Sequence, residues 1–309
     1  MEQTNKRPLV ILTGPTAVGK TAASIGLAKA IGGEIISADS MQVYREMDIG
    51  SAKIRPEEMD GVPHHLVDVL DPSEDFNVVL FQQMAKEAME GIYQRGHIPI
   101  VVGGTGLFVD SLANGVTFGE VGVMQEIRDR LQKLDNEMLY NRLKTLDPQA
   151  AEEIHPNNRK RVIRALELCL AGTTKTRQNK ESLTALSPYE ALYIGVSYVN
   201  RQKLYDRINK RVDLMLENGL ETEAINMLSK VGVTSKQAIG HKELLPYING
   251  EISYDEAVEN LKRATRRYAK RQLTWFRRND EINWLYADEM TNDELINEAV
   301  SMSRKFLLD

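Results

Sequence analysis

The sequence predicts an α/β fold: a parallel sheet flanked by helices, with a helical insertion. Three observations carry this. Short apolar runs alternate with helix-period segments through the first third of the chain. The first of these runs leads straight into a glycine turn and then a helix. From Phe118 to about Thr184 the strand signal disappears and only helical patterns remain. The expected division is a core of residues 1–117 and 185–309, with residues 118–184 as the insertion.

Taken in order, "PLVILTG" (8–14) reads as a short buried strand and "KTAASIGLAKAI" as the helix after it. "GEIISADS" (33–40) reads as a second strand ending in acid and hydroxyl residues, and "HHLVDVLDP" (64–72) as a third. "FNVVLFQQMAKEAMEGIYQRG" (76–96) is helical; "HIPIVVGGTG" (97–106) is a buried strand ending in glycines; "EALYIGVSY" (190–198) is a fifth strand. The insertion reads as helices separated by Pro148 and Pro156, and after Val199 the chain reads as helices alone. In sheets of this kind ligands sit at the carboxyl ends of the strands. The loops at 14–21, 39–42 and 103–106 are therefore expected to converge. No internal repeat or low-complexity stretch is present.

Of the 309 residues, 42% are apolar and 27% charged, as in an ordinary soluble domain with a sizeable core. The single cysteine, Cys169, excludes an internal disulfide and a multi-cysteine zinc site, and reads as a small buried helix residue. Neither a signal peptide nor a bilayer-spanning apolar run is seen, so a cytoplasmic protein with no membrane partner is expected. The net charge of −5 hides strong unevenness. Lys262 to Arg278 holds eight basic residues and no acid; His155 to Lys180 sets seven Lys or Arg against Glu167 alone. The tail from Asp280 holds eight acids and two bases. Such stripes attract phosphates over about a Debye length of ~8 Å, so the local sign matters more than the sum.

"GPTAVGKT" fits G-x-x-x-x-G-K-[ST] and makes the fold P-loop NTPase-like. Gly14 and Gly19 let the loop that runs through Pro15, Thr16, Ala17 and Val18 turn so that successive backbone N–H groups point inward at a polyphosphate. The following helix adds its positive end. Lys20 supplies a mobile charge and the Thr21 hydroxyl a ligand for Mg²⁺. The loop specifies two linked phosphates and a metal, without specifying a nucleoside. An ATP-driven motor is disfavoured, because no apolar strand ends cleanly in a metal-holding acid. "IPIVVGG" ends in Gly103-Gly104, Asp68 stands in mid-run, and Asp71 comes after it.

Asp39, after the second strand, is placed to take a proton from an acceptor group; the plainer reading is a loop aspartate capping a turn. Ser40, Met41 and Gln42 are its neighbours, and Gln42 suits an adenine edge. "GGTGLF" admits two readings: close approach of a ligand with Thr105 as donor, or a tight turn with Thr105 as helix cap. Arg207 and Arg211 share a helix face, which suits a phosphate clamp or, more plainly, salt bridges to Asp206 and Asp213.

At this point the motifs "GPTAVGKT", "ISADSMQVYREMDIGSAK", "HHLVDV", "VVGGTGLF", "HPNNRKRVIRALE", "YDRINKRVDLMLENGL", "QAIGHKE" and "KRQLTWFR" follow one another as in a known family. From about residue 9 to 278 the chain resembles the tRNA dimethylallyltransferases, in their bacterial form without a zinc-finger extension. The resemblance implies transfer of a dimethylallyl group from dimethylallyl diphosphate to N6 of the adenosine beside the anticodon, in tRNAs reading codons that start with U. It implies Mg²⁺ as cofactor and tRNA as partner; a monomer is expected. Carried over, Gly14 to Thr21 and Arg211 hold the diphosphate, with Mg²⁺ at Thr21. Thr16 and Lys20 lie at the reacting centre, and Asp39 is the general base. Asp39, Ser40, Met41, Gln42 and Thr105 match tRNA contacts. So do Lys160, Arg161 and Arg164; Gln237, Gly240 and Lys242; and Arg266, Arg267, Lys270 and Arg271. Three positions depart from the pattern: Phe108 for a frequent Tyr, Asn158 for Asp, and His241 for Tyr. The competing enzyme reading is a P-loop nucleotide or nucleoside kinase. A small-molecule kinase has no need of the basic C-terminal half. An RNA-binding protein with a vestigial loop is disfavoured by the intact Lys20, Thr21 and Asp39.

Overall fold

The structure is a computed structural model and describes residues 6–115, 125–178 and 187–308. The chain forms two compact units, Met1–Ala113 with Pro188–Asp309, and Asn114–Ser187.

In the first unit the described residues form a six-stranded sheet in which every pairing is parallel. Its strands are β1 (Arg7–Thr13), β2 (Gly33–Ser37), β3 (His64–His65), β4 (Ile98–Gly103), β5 (Tyr189–Ser197) and β6 (Asn283–Tyr286), in spatial order β3-β2-β4-β1-β5-β6. Period-two alternation divides the core into two layers. Leu9, Ile11, Ile36 and Val101 face one cluster with Phe81, Met89 and Phe108. Val10, Leu12, Ile35 and Ile100 face the other, with Leu27, Ile194 and Leu295. Because β1 lies between β4 and β5, the strand order reverses at its carboxyl end, where the glycine loop begins.

Helix α1 (Lys20–Ile31) starts at Gly19, whose φ is +97° and which offers no side-chain cap. Its first-turn N–H groups are therefore free for an anion. Helix α2 (Val78–Gln94) is capped by Asn77, and α3 (Gly106–Ala113) follows β4 directly.

Two strand expectations are corrected. The third strand is only His64–His65, because Leu66 and Asp68 have positive φ and the run 66–72 is a loop. Asp68 and Asp48 are both ion-paired to the buried Lys53, which also donates to the Tyr44 carbonyl (2.7 Å). Second, the chain after Val199 is not helical throughout: β6 adds an edge strand to β5.

In the second unit, α4 (Gln125–Gln132), α5 (Asn136–Leu146), α6 (Pro148–Glu153) and α7 (Arg159–Leu170) enclose a small core of Leu139, Leu143, Val162 and Leu166. Pro148 opens α6, where its missing N–H costs nothing. Asn158 caps α7 through the Arg161 N–H, a role open to Asp as well. Cys169 is half-buried on α7.

At the amino ends of β2 and β4, the carboxylate of Glu34 is 2% exposed and accepts from Arg95 (2.8 and 2.7 Å), His65 Nε2 (2.7 Å) and His97 Nδ1 (2.7 Å). The Arg95 hydrogen bond leads, against burial and with help from both histidines, and holds this carboxyl at about 2 rather than 4.5. The group is depressed in the fold, so its stabilisation is complete above about pH 4.5 and fades as pH falls toward 2. Glu34→Gln is expected to lower stability at pH 7 by about 2 kcal/mol in urea melts. The gap between variant and wild type should narrow in acid; a gap undiminished at pH 2.5 would refute this origin.

Candidate active site

The final elements of the core complete the site. These are α8 (Arg201–Glu217), α9 (Leu220–Met227), α10 (His241–Ile248), α11 (Tyr254–Phe276) and α12 (Asn292–Leu308). Of the loops at 14–21, 39–42 and 103–106, residues Thr16 to Thr21, Asp39, Gln42, Gly103 and Gly104 line one cavity of about 470 Å³, closed on its far side by α8 and α11, while Gly14, Pro15 and Gly106 do not line it. A second cavity of about 250 Å³ adjoins it. Thr16, Asp39, Ser51, Arg211 and Tyr268 line both, so these five residues form the neck between two chambers.

The first chamber is cationic. Lys20, Arg207, Lys210 and Arg211 line it, with Asp39 as the one acid among its lining residues. The plainer reading of the two arginines as helix salt bridges is overturned. Asp206 accepts from Gln202 (2.8 Å) and Asp213 pairs with Lys262 (2.7 Å), leaving the guanidinium groups to the cavity. Burial lowers the affinity of Arg211 for its proton; Asp39 opposes this and Arg207 adds to it. Lys20 Nζ donates to the Gly14 (3.0 Å) and Pro15 (2.7 Å) carbonyls. Burial, and then the charge of Arg211, pull Lys20 from 10.5 to about 7, with Asp39 acting against them. Gly14 is obligatory: its φ is +140°, and a Cβ would lie 2.1 Å from the Val196 carbonyl oxygen.

Asp39 Oδ1 accepts the Met41 N–H (2.9 Å), so the residue does cap a turn, while its carboxylate still borders both chambers. Ser40 and Met41 line the second chamber. Gln42 lines only the first, and its amide oxygen accepts from Ser37 Oγ (3.0 Å). Gln237, Gly240, Lys242 and Arg271 stand around the second chamber, whose floor includes Val212 and Leu261. Glu223 fixes its loop wall, accepting the N–H groups of Asp48 (2.8 Å), Ile49 (2.6 Å) and Gly50 (2.9 Å) and His241 Nε2 (2.8 Å). Burial pushes the Glu223 carboxyl up, but the His241 hydrogen bond and those N–H groups hold it below its usual value. The departure at His241 is thus part of a buried brace.

Other expected residues lie elsewhere. Thr105 lines neither chamber; its hydroxyl oxygen is buried without a well-formed hydrogen bond, beside the Tyr268 phenol. Arg266 bonds Asn209 (2.6 Å), and Arg267 and Lys270 are exposed on α11. Phe108 is a core residue stacked on Phe81 at 4.3 Å, so no hydroxyl is wanted there. In the second unit Lys160 and Arg161 are exposed, whereas Arg164 pairs with the buried Glu167 (3.0 Å), as does Arg128 (2.6 Å).

The glycines of "GGTGLF" make room for structure. A Cβ on Gly103 would lie 2.2 Å from the Ala38 oxygen, on Gly104 2.0 Å from Gln272 Nε2, and on Gly106 2.1 Å from the Trp275 ring. Sequence reasoning missed Tyr268, Gln272, Ser51 and Lys210. Tyr268 faces both chambers; burial and then the Asp39 charge push its phenol up. The available signal was a polar residue on the buried stripe of α11, where Gln272 stands with Ala257, Leu261, Ala269 and Phe276.

Among the described residues no group of three or more His, Cys, Asp or Glu could hold a metal. A metal here would need oxygens from a ligand besides the exposed Thr21 hydroxyl at the cavity edge. No helix of the described residues is long and apolar enough to cross a membrane.

Comparison with known proteins agrees with this architecture. The family model described as IPP transferase matches residues 42–279, and that described as isopentenyl transferase matches 8–69. The chain is 45% identical over 302 residues to the tRNA dimethylallyltransferase of Caldanaerobacter subterraneus subsp. tengcongensis, covering 94% of this chain and 96% of that one. It is 48% identical over 301 residues to that of Halalkalibacterium halodurans, covering 95% of each. Among solved structures, the full-length tRNA isopentenylpyrophosphate transferase of Bacillus halodurans aligns with a TM-score of 0.73 at 45% identity, over 97% of both chains. A eukaryotic dimethylallyltransferase described as acting on tRNA aligns with a TM-score of 0.84 at 31% identity, over 97% of this chain and 79% of that one. The chain belongs to the IPP transferase family, that of the tRNA dimethylallyltransferases.

Proposed function

We propose that the chain transfers a dimethylallyl group from dimethylallyl diphosphate to N6 of the adenosine beside the anticodon, in tRNAs reading codons that start with U. The observation that carries this is the pair of chambers meeting at Thr16, Asp39 and Arg211. One is cationic and sized for a diphosphate; the other opens beside the basic face of α11. A donor entering by the first and a base entering by the second meet at the neck.

The exocyclic amine of adenine is a weak nucleophile, because its lone pair is delocalised into the ring. Transfer forms the N6–C1 bond and breaks the C1–O bond, so the electron pair leaves on the diphosphate. Asp39 takes the proton that N6 loses. Lys20, Arg207, Arg211 and the open N–H groups of α1 neutralise the leaving charge. A hydroxyl and phosphate oxygens are hard ligands, so Thr21 together with the diphosphate suits Mg²⁺, which would supply Lewis-acid neutralisation of that charge. Thr16, between the chambers, orients the reacting ends. The target base must leave its stack, at a cost of roughly a few kcal/mol.

The first unit then acts as catalytic core with RNA-binding helices, and the second as a further RNA-binding body through Lys160 and Arg161. One chain supplies both chambers, which supports a monomer, and a tRNA substrate supports a cytoplasmic site of action. The kinase reading is weaker, because β4 ends in Gly103 where a metal-holding acid would stand.

The test is transfer of label from dimethylallyl diphosphate to unmodified tRNA in the presence of Mg²⁺. Absence of transfer, together with phosphate release from ATP, would favour the kinase. Arg267→Glu reverses an exposed charge on α11 and touches neither chamber. It is expected to weaken tRNA binding about tenfold at low salt with diphosphate affinity unchanged; filter binding and calorimetry read the two.

A further inference from the structure

Gln272 sits where two glycine turns meet the basic helix. Its side chain is buried, at 5% exposure, and both ends of its amide are used. The oxygen accepts the Thr16 N–H (2.9 Å), and the nitrogen donates to the Gly104 carbonyl (3.0 Å). One side chain of α11 thus joins the phosphate loop after β1 to the turn after β4. The contact exists because Gly104 has no Cβ; one would lie 2.0 Å from Gln272 Nε2. The Thr16 amide is committed to the helix, while Thr16 itself lines the neck. A turn later Trp275 Nε1 donates to Asp110 Oδ2 (2.8 Å), with its ring over Gly106. These two anchors, three residues apart, seat the helix on the two turns and on α3. Away from them, α11 presents Arg267 and Lys270 to solvent and Arg271 to the second chamber.

We infer that Gln272 is a positioning residue that couples RNA held on the exposed face of α11 to the diphosphate loop, by fixing the Thr16 amide. This rests on the transfer function proposed above. A force on α11 reaches the loop through a hydrogen bond that only a primary amide makes at both ends. Glutamate keeps an acceptor for Thr16 and loses the donor to Gly104; methionine keeps the length and loses both. Coupling between two sites is reciprocal, so RNA and diphosphate each tighten the other by the same factor.

The experiment measures the Kd of inorganic pyrophosphate with Mg²⁺, with and without saturating unmodified anticodon stem-loop RNA. In the wild type the RNA is expected to tighten pyrophosphate about tenfold. In Gln272→Met the ratio should fall to near one, with RNA affinity unchanged and kcat down about a hundredfold, as expected for a displaced reacting centre. Gln272→Glu provides the same readout should the methionine variant fail to fold, and is expected to lose most of the coupling. A strut with a merely structural role would lower stability and leave the ratio intact. Equal pyrophosphate affinities with and without RNA in the wild type, or an unchanged ratio in a folded variant, overturn the inference while transfer activity stands. A wild-type chain that transfers nothing to tRNA overturns the proposed function, and this inference with it.

Discussion

Asp39→Ala is expected to lower the transfer rate by about three orders of magnitude, within the usual range for a positioned general base, while tRNA affinity stays near wild type. The split between binding and turnover follows from position. Asp39 borders both chambers, but Lys242, Arg271 and the exposed face of α11 offer the charges that hold RNA. The sign of the diphosphate effect discriminates further. Asp39 is the one acid lining the first chamber, beside Lys20, Arg207, Lys210 and Arg211. Its removal makes that chamber more positive, so the KM for dimethylallyl diphosphate should hold or fall as kcat collapses. Asp39→Asn separates chemistry from architecture. The amide oxygen can still accept the Met41 N–H that shapes the turn, but it is a far weaker base. Single-turnover transfer with saturating tRNA is the measurement. An Asp39→Asn enzyme that keeps a tenth or more of wild-type turnover would remove Asp39 from the role of base.

Several features of this site were legible in the sequence because local chemistry dictates them. The glycine loop is one: a strand, a turn needing φ of +140° at Gly14, and a helix beginning without a side-chain cap. The loops converge because a parallel sheet brings the carboxyl ends of its strands to one edge. What failed to read was set by distant partners. "HLVDV" alternates like a strand, yet Lys53 captures Asp68 and the backbone turns at Leu66 and Asp68. β6 is four residues long and gains its identity from β5 alongside it. Gly104 and Gly106 announced a close approach without saying what approaches, and the answer stands on α11, more than 160 residues on. Arg207 and Arg211 were ambiguous for a related reason. Whether a helical arginine pairs with a neighbouring acid depends on what else that acid meets, and Asp213 meets Lys262.

Lys20→Met is expected to reduce transfer by about two to three orders of magnitude, the loss typical of removing one charged donor from a developing anion. The lysine also predicts a pH dependence whose sign can be worked out. Without substrate its burial and the charge of Arg211 hold it near 7, against Asp39, and its hydrogen bonds go to the Gly14 and Pro15 carbonyls. A bound diphosphate supplies several negative charges and raises that value. Below pH 7 the amine is already charged, so binding takes up no proton through it. Above pH 7 binding draws up to one proton onto Lys20, and affinity weakens as pH rises. Calorimetry of pyrophosphate binding at pH 8, in buffers of different ionisation enthalpy, reads the proton count. Lys20→Arg carries a charge at every pH used, so the difference between it and wild type isolates the lysine from the titration of pyrophosphate itself. Equal proton uptake in the two proteins would mean that Lys20 is fully charged before substrate arrives, and that its bonds to Gly14 and Pro15 outweigh its burial.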